Sequence, residues 1–156
     1  ESFARIFFRN CVATGELYPI ECADRLCDIF KTGDVGKIDE RGYVFIVGRD
    51  KDLVITGGFN VYPIEVETEI DALPGVVESA VIGVHHPDFG EGVTAVVVPK
   101  KEGAPDEKQV LAALEARLAK FKLPKRVLFV PELPRNAMGK VQKAELRKTY
   151  GDLYKK

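Results

Sequence analysis

The sequence predicts an α+β fold, in which a small mixed β-sheet with flanking helices follows a β-hairpin. The hairpin is indicated by apolar stretches at residues 35–38 and 43–47, on either side of a charged turn that ends in glycine. The sheet is indicated by two valine-rich stretches, residues 76–84 and 93–98. Helix-like segments alternate with the strands after the hairpin, which favours one sheet covered by helices.

The elements after the hairpin follow in order. Residues 48–52 are one glycine and four charged residues, a composition typical of an exposed connector. Residues 53–55 then predict a short strand, and residues 56–60 predict a tight loop. Pro63 marks the start of a helix that ends near residues 74–75, because a proline in the first turn lacks only an N–H that has no helical partner.

The second half of the chain predicts two further helices and a last strand. The valine stretches are continuous and do not alternate with polar residues, so we expect strands buried on both faces. Asp106 is a candidate N-cap for a helix with one apolar face made of Val110, Leu111, Leu114 and Leu118. Residues 126–130 then predict a strand, residues 133–140 a loop and residues 141–150 a closing helix.

The charge of the chain is unevenly distributed. A net charge of −1 over 156 residues excludes a strongly basic nucleic-acid-binding domain. Residues 1–105 hold 10 basic and 18 acidic side chains, whereas residues 106–156 hold 13 basic and 6 acidic ones. The basic second half suits an anionic ligand such as a nucleotide or coenzyme A. Solvated helix faces explain most of these lysines equally well.

The composition also bears on location and metals. The cysteines, Cys11, Cys22 and Cys27, match neither a disulfide framework nor a zinc site, so we expect a reducing compartment. The sequence has no membrane span and no signal-peptide pattern, which predicts a cytoplasmic protein. His85 and His86 are adjacent, their side chains diverge on a strand, and no other histidine completes a site, so no metal ligands are expected.

Lys140 is the candidate catalytic residue. It follows Gly139 in a loop whose start is stiffened by Pro131 and Pro134, so its ammonium group can approach an anion. Such a group would offset the charge that develops when a carboxylate attacks the α-phosphate of ATP. Taken alone, the lysine is better explained as a residue of an exposed loop, and only the surrounding sequence favours the catalytic interpretation.

Two further sets of residues are candidates for ligand binding. Asp34 and Arg49 lie at the outer ends of the hairpin, where antiparallel pairing brings them together as a ribose clamp or as a plain surface ion pair. Gly57 and Gly58 offer backbone N–H groups without Cβ atoms, which allows close approach of a ligand. A plain turn before Pro63 explains the two glycines as well.

Taken together, three ordered segments resemble the motifs of the acyl-CoA synthetase, peptide-synthetase adenylation domain and luciferase superfamily. The segments are residues 31–34, 48–67 and 134–140. The resemblance covers about residues 31–150 and includes residues 81–84 and 121–125. The amino-acid sequences of residues 56–63 and 134–143 are similar to those of bacterial malonyl-CoA synthetases.

The resemblance implies a two-step, AMP-forming ligase that uses ATP and coenzyme A. A carboxylate and ATP give an acyl-adenylate and pyrophosphate, and the thiol of coenzyme A then displaces AMP while the small domain rotates between the steps. By this likeness Asp34 and Arg49 hold the AMP ribose and Lys51 is the hinge. Lys140 serves the first step only. The pantetheine tunnel of the second step would be lined by Gly57 and Gly58.

The resemblance also implies a division of the chain. Residues 1–30 do not match the stretch expected before Lys31 and stay unassigned. A divergent remnant of the large domain, an altered boundary and a non-native junction are the open alternatives. Residues 31–50 form the hairpin that closes the large domain and ends at the hinge, and residues 51–156 form the mobile C-terminal catalytic domain. The family's large N-terminal domain carries the phosphate loop, the acyl pocket and most of the Mg²⁺ site. Because this sequence has neither the loop nor the pocket, the isolated chain is expected to have little or no ligase activity.

Two other functions stay open at the level of sequence. The first is an adenylation domain that loads a carrier protein, in which case a carrier domain with its modified serine should follow Lys156. The second is an interaction module that is the substrate of a lysine acetyltransferase, which silences the enzyme by removing the charge of Lys140. The resemblance favours malonate or another short acid as the substrate of the ligase.

Overall fold

The computed structural model describes residues 34–38 and 44–155. The chain divides between Asp50 and Lys51 into two units, and each unit is described by itself. Residues 1–30, with the three cysteines, lie outside the described residues.

The first unit contains the predicted hairpin. Strand β1 (Asp34–Ile38) pairs antiparallel with strand β2 (Val44–Arg49). The register sets Asp34 opposite Arg49. The prediction of an exposed connector over residues 48–52 was wrong at its first two residues, because the pairing with β1 continues to the end of β2. Only a 3₁₀ turn, Asp50–Asp52, follows the hairpin.

The second unit is built on one mixed sheet, which confirms the predicted fold class. Within residues 51–155 the strands are β3 (Val54–Thr56), β4 (Phe59–Val61), β5 (Val76–His86), β6 (Gly90–Pro99) and β7 (Arg126–Phe129). Their spatial order is β4–β3–β6–β5 with antiparallel neighbours, and β7 pairs with β6 in parallel.

Strand β4 is an element that the sequence did not predict. Residues 56–60 were expected to be a tight loop, but Gly57 and Gly58 alone make the turn and the chain returns beside β3. Their φ angles of +56° and +82° lie in the left-handed region, as a two-residue hairpin turn requires and as glycine adopts without strain. Three residues are too few for an alternating pattern to appear, so this strand had no sequence signal.

The two long strands, β5 and β6, are buried on both faces over most of their length, as the continuous valines predicted. One face packs with helices α1 (Pro63–Asp71) and α2 (Glu107–Glu115). The opposite face packs with helix α3 (Lys143–Thr149). On β6, Val93, Ala95 and Val97 belong to the first core, whereas Val96 and Val98 belong to the second. Because consecutive side chains serve different cores, the strand has no solvent-facing side.

The helices start close to the predicted positions. Helix α1 begins at Pro63, as expected. Helix α2 is capped by Asp106, whose Oδ1 accepts from the backbone N of Gln109 at 2.8 Å, while Gln109 Oε1 accepts from the N of Asp106 at 2.9 Å. This reciprocal pair is a capping box. Helix α3 begins two residues later than predicted, because Val141 pairs with Arg135 in an isolated β-bridge.

Tyr154 follows α3 and packs against the second core. Its hydroxyl lies 2.9 Å from Thr94 Oγ1, and its ring centroid lies 4.8 Å from that of His86. Burial raises the pKa of Tyr154 above the ordinary value of 10.0. The unfolded chain therefore releases this proton first as the pH rises, so the contribution of Tyr154 to stability is complete below pH 10 and is lost above it.

Replacing Tyr154 by phenylalanine is expected to lower the free energy of unfolding at pH 7 by about 1 kcal/mol, through loss of the hydrogen bond to Thr94. The variant should also lose less stability than the wild-type protein between pH 8 and pH 11, because it lacks the shifted hydroxyl. Urea unfolding across this pH range measures both effects. An identical alkaline decline in the two proteins would contradict the role assigned to Tyr154.

Candidate active site

Lys140 lies in a tight loop that is held closed by its own backbone. Arg135 and Val141 form the bridge at the base of the loop. The backbone N of Asn136 donates to the carbonyl of Lys140 at 2.9 Å. The side-chain oxygen of Asn136 accepts from the backbone N of Met138 at 3.0 Å and from that of Lys140 at 2.9 Å. One asparagine side chain therefore fixes the backbone on which Lys140 stands.

A guanidinium group supports the same loop from the side. Arg135 donates to the carbonyl of Gly139 at 2.6 Å and forms an ion pair with Glu78 of β5. Gly139 has a φ of +76°, so the chain turns sharply just before Lys140. The Lys140 side chain is exposed, and within residues 34–38 and 44–155 its ammonium group makes no hydrogen bond or ion pair. A fixed backbone with an exposed ammonium group can meet an anion that is held outside this unit.

The glycines lie on an exposed turn with open space above one of them. The backbone N of Gly57 donates to the carbonyl of Phe89 at 2.9 Å. A Cβ atom placed on Gly58 would meet no atom within 4 Å. The space beside the turn can therefore receive a thin ligand close to the backbone.

Apolar side chains surround this turn on the surface. The exposed fractions are 52% for Ile55, 55% for Phe59 and 39% for Phe89. Phe59 stacks on Phe121, with ring centroids 4.7 Å apart. We name the group of Ile55, Phe59, Phe89 and Phe121 the apolar rim. Ile55 and Phe59 lie on opposite faces of the β3–β4 hairpin, so the apolar rim offers apolar surface on both sides of the glycine turn.

Two lysines border the apolar rim. Lys122 is ion-paired with Glu65, at 2.5 Å between Nζ and Oε1. Lys125 places its Nζ 4.4 Å from the ring centroid of Phe89, a cation–π contact. Lys125 thus adds one positive charge to the apolar area around the glycine turn, whereas the charge of Lys122 is balanced by Glu65 and the carboxylate of Glu91 accepts from the backbone N of Ile55 at 2.8 Å.

The sequence did not predict the parts of the site that depend on distant contacts. Phe121 and Phe89 meet the glycine turn only after folding, so no local pattern links them. Asn136 could have been found, because asparagine often accepts hydrogen bonds from the backbone two residues ahead. Arg135 stood in the family motif, but its partner Glu78 lies 57 residues away.

The ribose-clamp candidates belong to the first unit. Backbone pairing sets Asp34 opposite Arg49 at the ends of β1 and β2, as antiparallel pairing predicts. Arg49 is exposed, and the side chain of Asp34 lies outside the described residues. Lys51 is exposed in the 3₁₀ turn that follows.

The described residues contain no group of three histidine, cysteine or acidic side chains that is placed to hold a metal ion. His85 is exposed, and His86 lies between the rings of Phe89 and Tyr154. In that part, no helix is both long and apolar enough to cross a membrane.

Comparison with known proteins identifies the domain type of the second unit. Residues 65–140 match the model of the AMP-binding enzyme C-terminal domain, a range that includes the acidic residues of α1 and ends at Lys140. Residues 65–140 belong to the AMP-binding enzyme C-terminal domain family. ATP-bound MatB from Rhodopseudomonas palustris, a malonyl-CoA synthetase, is similar at 72% identity and a TM-score of 0.76. The match covers 81% of this chain and 25% of MatB.

Two other similar proteins are named as a CoA ligase and a CoA synthetase. Long-chain-fatty-acid–CoA ligase FadD13 from Mycobacterium tuberculosis is 46% identical over 121 residues, which cover 78% of this chain and 24% of that protein. The o-succinylbenzoate CoA synthetase MenE from Bacillus subtilis, in complex with an acyl-adenylate intermediate, is 36% identical with a TM-score of 0.69. That match covers 75% of this chain and 24% of MenE. The chain spans about a quarter of the length of these relatives.

Proposed function

We propose that this chain is the C-terminal part of an ATP-dependent, AMP-forming carboxylate–CoA ligase. The observation that carries the proposal is Lys140, an exposed ammonium group on a rigid loop at the end of the region that matches the AMP-binding family. In the first step a carboxylate oxygen bonds to the α-phosphorus of ATP and pyrophosphate leaves. In the second step the sulfur of coenzyme A bonds to the acyl carbon and AMP leaves.

The residues divide between the two steps. In the first step the ammonium group of Lys140 would contact the carboxylate and the α-phosphate, where negative charge accumulates. Asp34 and Arg49 would hold the ribose of AMP. In the second step the turn of Gly57 and Gly58 would line the pantetheine tunnel, and the apolar rim supplies surface beside it. Rotation about Lys51 would replace the face that carries Lys140 by the face that carries the glycine turn between the two steps.

The same proposal extends to the division of the whole protein. Residues 31–50 would close a large N-terminal domain, and residues 51–156 would form the mobile domain. The relatives are about four times as long as the matched region, which is long enough for a large domain. That domain would hold most of the nucleotide, the acid and Mg²⁺. The protein would act in the cytoplasm. We expect little or no ligase activity from the chain alone.

Malonate or another short acid is the proposed substrate. The 72% identity to MatB supports this choice. FadD13 and MenE, which are named for a long-chain fatty acid and for o-succinylbenzoate, share the same C-terminal domain at lower identity. Since one domain type serves such different acids, the choice of acid would be made mainly by the large domain. The ligase relatives favour coenzyme A over a carrier protein as the acyl acceptor.

Lys140 is also the proposed target of a lysine acetyltransferase. Its side chain is exposed on a loop, as a modifying enzyme requires, and acetylation would remove its charge. Site-specific acetylation that leaves the other lysines largely unmodified would support this partner. Acetylation spread evenly over the exposed lysines would count against it.

The test of the ligase proposal is a substrate survey with the full-length protein. We expect acid-dependent formation of AMP and pyrophosphate from ATP, and a coenzyme A thioester as the final product. Among malonate, methylmalonate, succinate, acetate and a long-chain fatty acid, malonate should give the highest kcat/KM. Formation of ADP and phosphate in place of AMP and pyrophosphate would contradict the proposed chemistry. A higher kcat/KM for the long-chain acid would overturn the proposed substrate alone.

A further inference from the structure

One ion pair connects the turn at the start of the second unit to its last helix. Asp52 closes the 3₁₀ turn, and its Oδ1 accepts a hydrogen bond from Arg147 Nη2 of α3 at 3.1 Å. The two residues are 95 positions apart in sequence. Both side chains are largely shielded from solvent, with exposed fractions of 21% for Asp52 and 29% for Arg147. The pair therefore fastens the chain one residue after Lys51, the proposed hinge.

The same helix carries the Lys140 loop at its other end. The backbone N of Gln142 donates to the carbonyl of Pro134 at 2.8 Å, which joins the start of α3 to the loop. Lys143 Nζ lies 2.6 Å from Glu67 Oε1, an oxygen that also accepts from the backbone N of Val81 at 2.6 Å. Leu146, one residue before Arg147, is buried in the second core. Helix α3 is thus a rigid link between the Lys140 loop and Arg147.

We propose that Arg147 is a positioning residue for both half-reactions. Through Asp52 it holds the connector turn on the helix that carries the Lys140 loop, so that rotation is confined to the bonds around Lys51. The inference rests on the ligase function proposed above. Without the pair, rotation would spread over the bonds of the turn, and both Lys140 and the glycine turn would reach their working positions less accurately.

The first test measures how readily the connector turn detaches from the folded unit, and it needs no enzymatic activity. Trypsin cleaves after Lys51, provided that the surrounding backbone detaches from the folded unit. In the full-length protein, Arg147→Gln should speed cleavage after Lys51 by about fivefold, the upper end of what a partly shielded ion pair contributes. Arg117→Gln is the matched control. Arg117 also forms an ion pair at 3.1 Å, but its partner is Glu69 of helix α1 and not a residue of the connector turn. The control should leave cleavage after Lys51 unchanged.

The second test separates positioning from general stability. Arg147→Gln should lower kcat of adenylate formation and of thioester formation from supplied acyl-adenylate by similar factors, with KM for ATP unchanged. Arg147→Lys should recover part of both rates. Asp52→Asn should reproduce the effects of Arg147→Gln, and the double variant should be no worse than either single one, since one interaction is lost in all three.

The outcomes distinguish this inference from the ligase proposal. If the full-length protein forms no AMP with any acid, the ligase proposal fails, whatever the proteolysis result. If AMP forms but cleavage after Lys51 is unchanged in Arg147→Gln, the role of the ion pair is overturned. Asp52→Asn is judged by the two half-reactions alone, because residue 52 follows the cleaved bond and its charge affects trypsin directly. Faster cleavage with both half-reactions intact would also overturn it, because the pair would then be structural only. Should Arg147→Gln fail to fold, Asp52→Asn carries the measurement of the two half-reactions, and unchanged rates of both would overturn the inference.

Discussion

Replacing Lys140 by alanine in the full-length protein is expected to slow acyl-adenylate formation by roughly 10²–10³-fold, the loss typical of one preorganised donor to developing charge. Thioester formation from supplied acyl-adenylate should stay close to the wild-type rate, because the α-phosphate has already reacted. The two half-reactions are measured separately, by pyrophosphate release and by formation of the coenzyme A thioester. Equal loss of both would refute the assignment of Lys140 to the first step.

Matched variants sharpen this prediction. Lys148→Ala removes an exposed lysine of the next helix and should leave both half-reactions unchanged. Lys140→Gln removes the charge but keeps a long side chain, so it should behave like the alanine variant if charge is what matters. Lys140→Arg should recover part of the adenylation rate. Because the loop is held by Asn136 and Arg135, none of these changes should alter the folded backbone.

The sequence predicted those elements whose signals are local. The hairpin was found from two apolar stretches around a turn, and helix α2 was found from its cap and its apolar face. Burial of the sheet on both faces followed from the unbroken valines of β6, since a half-exposed strand alternates. In each of these cases the residues that decide the structure lie within a few positions of one another.

The elements that the sequence did not reveal depend on contacts between distant residues. Strand β4 is three residues long and is defined by its pairing with β3. The apolar rim joins Phe59 to Phe121, which are far apart in sequence and stack only in the folded chain. The pair of Asp52 and Arg147 spans 95 positions. Family motifs pointed to the candidate site residues, whereas the contacts that support them had to be read from the structure.

Replacing Gly58 by leucine is expected to slow thioester formation by roughly 10²-fold, because the new side chain would fill the space in which, under the proposed function, the pantetheine arm reaches its reactive position. The structure leaves that space open, with no atom within 4 Å of a Cβ placed on Gly58, and the apolar rim lies beside it. Adenylate formation should stay close to the wild-type rate, since the turn is assigned to the second step only.

Gly58→Ala is the control that separates volume from backbone strain. Gly58 has a φ of +82°, so alanine and leucine suffer the same conformational strain and both should destabilise the turn by about 1 kcal/mol. The two variants differ in the volume of the side chain. If leucine slows thioester formation much more than alanine does, the space above Gly58 is part of the path of coenzyme A. If the two slow it equally, strain is the cause and the turn does not line the tunnel.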